Sequence, residues 1–218
     1  MLIVEPPTVL VGFPGRSSTR TAVPAARIGP NTIIQLAHVL RDRFGEGVAA
    51  TLLFESTGYA MGALPQSMVD EREAQAFVRT VMRAVGATQG SRILHEAGHR
   101  TADYLMGHRI PRPAQWLMKA LPQRAGLNIL LRAMQANAWT FAGSGSFSVH
   151  HLPKRVDLTF HDCAMCRDMH TSQPVCDFYA GTFEHLIRTL VAPRAEVREV
   201  ECQSTGGHCC RFEVTGIH

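Results

Sequence analysis

The chain has 218 residues, of which 45% are hydrophobic and 18% charged, with 18 glycines and 12 prolines. That is enough for one large domain, or one domain with an appendage, and it excludes a disordered, fibrous or low-complexity protein. The formal net charge of +4 rests on twenty arginines and only two lysines, Lys119 and Lys154. No basic run of five or more marks a nucleic-acid surface, and arginine suits carboxylates and flat rings.

No run of 18 apolar residues occurs, so no membrane span is expected. The start of the chain lacks a basic segment and carries Glu5, Pro6 and Pro7, which makes a poor signal peptide. A cytoplasmic protein with reduced cysteines is expected, and reduced cysteines point to metal binding or catalysis before disulfides.

Residues 1–28 show no sustained period and read as an irregular N-terminal arm; residues 29–218 read as a single ligand-binding domain. Asn31 is placed as the N-cap of a first helix, with Ile33, Ile34, Leu36, Ala37, Leu40 and Phe44 as its apolar stripe and Gly45 as its end. A second helix runs over 48–57 and stops at Gly58. Asp70 or Ser67 caps a third, with Ala74, Phe77, Val78 and Val81 on one face and Gly86 at its end. Residues 89–108 form a fourth. Pro111, Pro113 and Pro122 punctuate the next stretch, and Pro122 opens a helix running to about Ala136.

The pattern then changes. Trp139, Phe141, Phe147 and Val149 alternate around Gly143 and Gly145, like two strands or one bulged strand. Val156, Leu158 and Phe160 alternate strictly. Residues 174–191 are helical, and 197–202 and 210–214 are strands joined across Gly206-Gly207. Helices succeeded by a strand–strand–helix–strand–strand unit give an α+β fold with an antiparallel sheet.

Two constellations compete for function. His95-Glu96-Ala97-Gly98-His99 matches the zinc-protease motif H-E-x-x-H. A third ligand is needed, yet no Glu occurs between Glu96 and Glu184, and Ala102 and Leu105 stand where the extended motif wants Gly and His. The segment is therefore read as a packed helix with Gly98 at a close approach. His95 and His99 remain free to touch a ligand.

The cysteines carry more. Cys163, Cys166, Cys176, Cys202, Cys209 and Cys210 all fall in the last quarter of the chain. Cys176 at a helix start, Glu199 and Cys202 at a strand end, and Cys210 on the returning strand would close a four-ligand zinc site. Glu199 and Cys202 point to opposite sides of a regular strand, so a bulge near Glu201 is required. Cys163-x-x-Cys166, with Cys209, forms a competing set.

The segment from Cys176-Asp-Phe-Tyr-Ala-Gly181 through Glu199-x-x-Cys202 to Gly206-x-x-x-Cys210-x-Phe212 resembles the four-vinyl-reductase domain. The likeness covers about residues 140–218, and the helical part upstream resembles the same family more loosely. It implies a structural zinc on Cys176, Glu199, Cys202 and Cys210 beside an apolar ligand pocket. It also implies bacteriochlorophyll synthesis, with a Mg-porphyrin or chlorophyllide-type ligand, enzymes of that synthesis as partners, and a homodimer formed through the helices.

The resemblance implies three roles: a tetrapyrrole-binding carrier, a 4-vinyl reductase of divinyl chlorophyllide precursors, and a sensor of small aromatics. The reductase would need a hydride source, and no G-x-G-x-x-G comes after a strand. A carrier needs only an apolar site with a few polar anchors. Trp139, Phe141 and Phe147 at the helix-to-sheet junction are the expected ring contacts, with His150 as the expected axial ligand.

Overall fold

The computed structural model describes residues 26–217. The arm expected over residues 1–28 therefore lies outside the described residues except at its end. There Arg27–Ile28 form a short strand β1, paired antiparallel with β2, Val69–Asp70.

Between and after these strands come α1 (Asn31–Phe44), α2 (Glu46–Thr57), α3 (Glu71–Val85), α4 (Ala87–His108), α5 (Arg112–Ala120) and α6 (Gln123–Ala136). The apolar stripe of α1 is buried as its spacing requires, with Ile33, Leu36, Ala37 and Leu40 fully inaccessible. Pro30, not Asn31, is its N-cap; Asn31 is already the first helical residue. Asp70 caps α3 through its carboxylate, which accepts from the Arg72 N–H at 2.9 Å.

Helix α5 is not expected from the sequence, because two prolines there read as breaks. Both sit at its start, where a proline lacks only an N–H that would have no partner anyway.

The expected strand around Trp139 is also corrected. Residues Ala138–Thr140 form one 3₁₀ turn, and only β3 (Ser146–His151) is extended. Then come β4 (Val156–His161), α7 (Asp177–Leu190), β5 (Glu196–Glu201) and β6 (Cys210–Thr215). Helix α7 begins three residues later than expected, because the Cys176 N–H donates to Glu199 Oε2 at 2.9 Å and fixes the chain there.

The four long strands form one antiparallel sheet in the order β3-β4-β6-β5. The pairs Phe147–Phe160, Phe160–Cys210, Leu158–Phe212 and Glu199–Phe212 put these residues on one face. Helix α7 covers that face. Tyr179 stacks on Phe160 at a centroid distance of 4.6 Å, and Phe183 meets Phe212 edge-on at 5.9 Å. The opposite face is polar. Arg155 reaches Asp157 at 2.9 Å and Arg211 reaches Glu213 at 3.0 Å.

Helix α4 lies against the far side of α7, with α1 behind it. The two helices approach so closely that backbone meets backbone. A Cβ on Gly98 would stand 2.3 Å from the Phe178 carbonyl oxygen, and one on Gly181 2.3 Å from that of His95. The close approach expected at Gly98 is thus where the two halves of the fold join.

Gly98→Ala must push α4 and α7 apart, at a cost of about 1–3 kcal/mol typical of overpacking. In a chain of this size that lowers the melting temperature by about 2–12 °C. Gly47→Ala, where an added Cβ meets nothing within 4 Å, leaves it unchanged or higher. Thermal unfolding followed by circular dichroism checks both. Equal melting temperatures for Gly98→Ala and the parent chain would contradict the tight crossing.

Candidate metal centre

Five of the six cysteines converge at one end of the sheet. Cys163 and Cys166 lie in the loop after β4, Cys176 is the N-cap of α7, Cys202 directly follows β5 and Cys210 begins β6. All are buried, and none is in a disulfide. Their sulfurs touch: Cys176–Cys210 and Cys202–Cys210 are 3.8 Å apart, Cys176–Cys202 4.0 Å, Cys163–Cys176 3.7 Å and Cys166–Cys210 3.3 Å. Cys209, next to Cys210 in the chain, faces the other way and meets Glu201; burial and that carboxylate push its thiol up.

Glu199 joins them through the bulge that its spacing from Cys202 required. It pairs with Phe212 while Glu201 pairs with Arg211, so Val200 is an extra residue in β5. The donor atoms fall into two sets, Cys176–Glu199–Cys202–Cys210 and Cys163–Cys166–Cys176–Cys210. Within each set all donor atoms lie within 4.8 Å of one another.

Such a cluster can bind a metal ion. Two thiolates held at about 2.3 Å by one tetrahedral ion lie about 3.8 Å apart, the spacing seen among Cys176, Cys202 and Cys210. Glu199 Oε1 is buried without a hydrogen-bond partner, a cost that a cation would remove.

The electrostatics agree. Burial, with the Cys202 thiol beside it, pushes the Glu199 carboxyl up to about 10. The Cys176 thiol is held far above the ordinary range by Cys163, Cys166, Cys202 and Cys210 and by burial. These groups cannot all be ionised together without a cation among them.

The loop carrying Cys163 and Cys166 is anchored by the helices. Glu71, at the start of α3, is almost completely buried. It accepts from Arg167 Nη1 at 2.6 Å, the Ser144 hydroxyl at 2.7 Å and the Ser144 N–H at 2.8 Å. Gln75 donates to the Arg167 carbonyl. From below, the Cys163 N–H donates to Gln203 Oε1 at 2.8 Å. Sequence reasoning missed this clamp, because its members are 73 and 96 residues apart and form no local pattern.

The expected ring contacts divide. Phe141 and Phe147 meet edge-on at 5.2 Å and join Phe160, Tyr179 and Phe183 in one aromatic cluster. Trp139, just before them, is 64% exposed. His150 pairs with Asp157 across the strands and so stands on the polar face, where its ring meets the Ser148 hydroxyl. Two shallow depressions, of 410 and 280 Å³, lie elsewhere, around Arg43 and Arg92 and around Tyr59 and Glu73.

In the H-E-x-x-H segment, α7 supplies the acid that the sequence did not offer nearby: Glu184 Oε2 lies 3.4 Å from His95 Nε2. Glu96, however, is tied to Arg43 at 2.8 Å and to Arg100 at 2.7 Å, and His99 stacks on His185. The glutamate that would act as base is thus held by two guanidinium groups.

Residues 156–216, which hold the whole cysteine cluster, match the V4R domain family. Over most of its length the chain is also similar to two proteins described as "Bacteriochlorophyll synthase 23 kDa chain". That of Cereibacter sphaeroides is 36% identical over 195 residues, which is 87% of this chain and 91% of that protein. That of Rhodobacter capsulatus is 33% identical over 187 residues, 85% of each. The chain belongs to the family of these 23 kDa chains.

The 23 kDa-chain family's fold is visible in solved H-NOX structures. A variant from T. tengcongensis superposes with a TM-score of 0.57 at 14% identity, covering 86% of this chain and 97% of that one. One from K. algicida gives 0.54 at 11%, covering 87% and 97%. These likenesses are of fold.

Glu71 carries a pH signature. Burial pushes its carboxyl up, but Ser144 and Arg167 outweigh that and hold it below the ordinary range. A depressed carboxylate contributes stability that is complete above its unfolded value of about 4.3 and is lost as pH falls through the folded value. Glu71→Gln therefore costs about 2 kcal/mol at pH 7, the size of hydrogen bonds to a charged group. The gap to the parent chain narrows as the pH drops through the carboxylate range. Urea unfolding at several pH values measures it, and a gap that does not change with pH would contradict the ionised clamp.

Proposed function

We propose that this protein serves bacteriochlorophyll synthesis by binding a tetrapyrrole intermediate and handing it on, with a structural zinc ion holding its sheet together. The observation that carries this reading is the similarity to the two bacteriochlorophyll synthase 23 kDa chains along nearly the whole chain. No helix among the described residues is long and apolar enough to cross a membrane.

Zinc is held by Cys176, Glu199, Cys202 and Cys210. Three thiolates and a carboxylate fill a tetrahedral ion and leave no open position. The ion then supplies a cross-link between α7, β5 and β6 rather than a reaction centre. The tetrapyrrole lies against Trp139, whose indole is exposed and which stands two residues before Phe141 of the aromatic cluster. A flat ring stacks on such a surface without an enclosed cavity. His150, on the opposite face, takes no part in it. The solved structures that share the fold include H-NOX proteins described for haem distortion; that likeness is of fold, and ring binding by this chain rests on the family and on the aromatic surface.

Burying roughly 300–400 Å² of ring contributes about 8–10 kcal/mol gross, from which association removes several. The remainder corresponds to a dissociation constant of about a micromolar, weak enough for release to the next protein. Absorption and tryptophan-fluorescence titrations with Mg-porphyrin and metal-free porphyrin measure it. Both bind alike, because stacking and not an axial histidine holds the ring, and Trp139→Ala weakens binding at least about fivefold, on the order of 1 kcal/mol of lost stacking. Adding NADPH leaves the bound spectrum unchanged. A spectrum that shifts as a vinyl group is reduced would make the protein a reductase, and no quenching at tens of micromolar porphyrin would refute the carrier.

A further inference from the structure

Cys163 and Cys166 are not needed for the four-ligand site, yet they are as deeply buried as its members, at 0% and 1% exposure. Nor are they isolated core thiols packed in hydrocarbon. Cys163 lies 3.7 Å from the Cys176 sulfur, and Cys166 lies 3.3 Å from that of Cys210. With Cys176 and Cys210 they form a second group whose donor atoms are all within 4.8 Å of one another. The two groups share one edge, Cys176–Cys210, whose 3.8 Å matches the thiolate spacing at a single tetrahedral ion.

We infer that the cluster holds two divalent ions of the zinc type, bridged by the thiolates of Cys176 and Cys210. One ion is completed by Glu199 and Cys202, the other by Cys163 and Cys166. The inference rests on the reading of the first four residues as a metal site and adds a second ion to it. Six donors serve two four-coordinate ions because two of them are counted twice. No electrons move; each thiol releases its proton to solvent as it binds.

The loop is built to present these two thiols. The Arg167 N–H closes a turn onto the Cys163 carbonyl at 3.0 Å, and the Cys163 N–H is fixed by Gln203. Asp162 and Asp168 bracket the loop with φ of 54° and 57°, a left-handed backbone that is uncommon outside glycine. The cation carried by this loop, Arg167, does not serve the sulfurs. The Arg167 guanidinium is turned to Glu71, the Ser144 hydroxyl and the Asp162 carbonyl. A sulfide-bridged iron cluster fits less well, since its inorganic sulfides hold the terminal thiolates further apart than one ion does.

Metal analysis of the full chain, purified under reducing conditions with zinc supplied, tests this. Two zinc ions per chain are expected, and Cys163→Ser with Cys166→Ser halves this to one while the circular dichroism stays folded. Cobalt substitution gives a second measurement that needs no variant. Two thiolate-bridged cobalt ions couple antiferromagnetically, so the paramagnetic signal per cobalt at full loading falls below that at low loading. One zinc per chain, unchanged in the double variant, would overturn the second ion and leave the first site standing. No metal at all would overturn both. Iron with acid-labile sulfide, or a mass two hydrogen atoms lower from a disulfide within the cluster, would also overturn it.

Discussion

Five thiols and a carboxyl, buried within touching distance of one another, are the condition on which the C-terminal half of this molecule depends. Such a set is costly without a cation, because neither full ionisation nor full protonation suits all six groups at once. The surrounding backbone nevertheless converges on it from three directions: the loop after β4, the start of α7 and the β5–β6 hairpin. Even the first residue of α7 is set there, by the bond between the Cys176 N–H and Glu199. Much of the backbone order of this half is thus directed at bringing sulfur to sulfur.

From that point the order passes outward through α7. The helix carries Tyr179 and Phe183 onto the sheet and Gly181 onto α4, so one side of it is aromatic packing and the other is bare backbone contact. The helical layer returns the support by a separate path, since Glu71 and Gln75 of α3 grip the loop that bears Cys163 and Cys166. The cysteine cluster is thus held by the sheet on one side and by the helices on the other. Trp139, the exposed aromatic proposed to meet the ring, sits in the chain between the last helix of the helical layer and the first strand of the sheet.

Much of this was legible because it was local. The α1 stripe, the Asp70 cap, the strict alternation of β4 and the need for a bulge between Glu199 and Cys202 each depend on a few neighbouring residues. The parts that were not legible depend on distance or on ambiguity. Helix α5 was hidden by prolines that break helices in the middle and suit them at the start. The alternation around Trp139 imitated a strand over a 3₁₀ turn. His150 looked close to Phe147 along the chain, yet a separation of three places the two on opposite faces. The partnership of Glu71 with Arg167, and the approach of Glu184 to His95, join residues whose nearness exists only in the folded chain.

The extra residue in β5 has a consequence for how this segment can vary. Glu199 and Cys202, three positions apart, turn to the same side only because the strand bulges at Val200, and Val200 itself is turned outward to solvent. Its side chain is therefore free to change, whereas the bulge is required for as long as three positions separate the two donors. Straightening the strand without losing a residue restores a regular alternation and swings one of the two donors, at an odd separation of three, to the wrong side of the sheet. This stretch constrains parity more tightly than identity, and a relative could replace the valine freely, or lose it together with the bulge, and still keep its glutamate and its cysteine on one side.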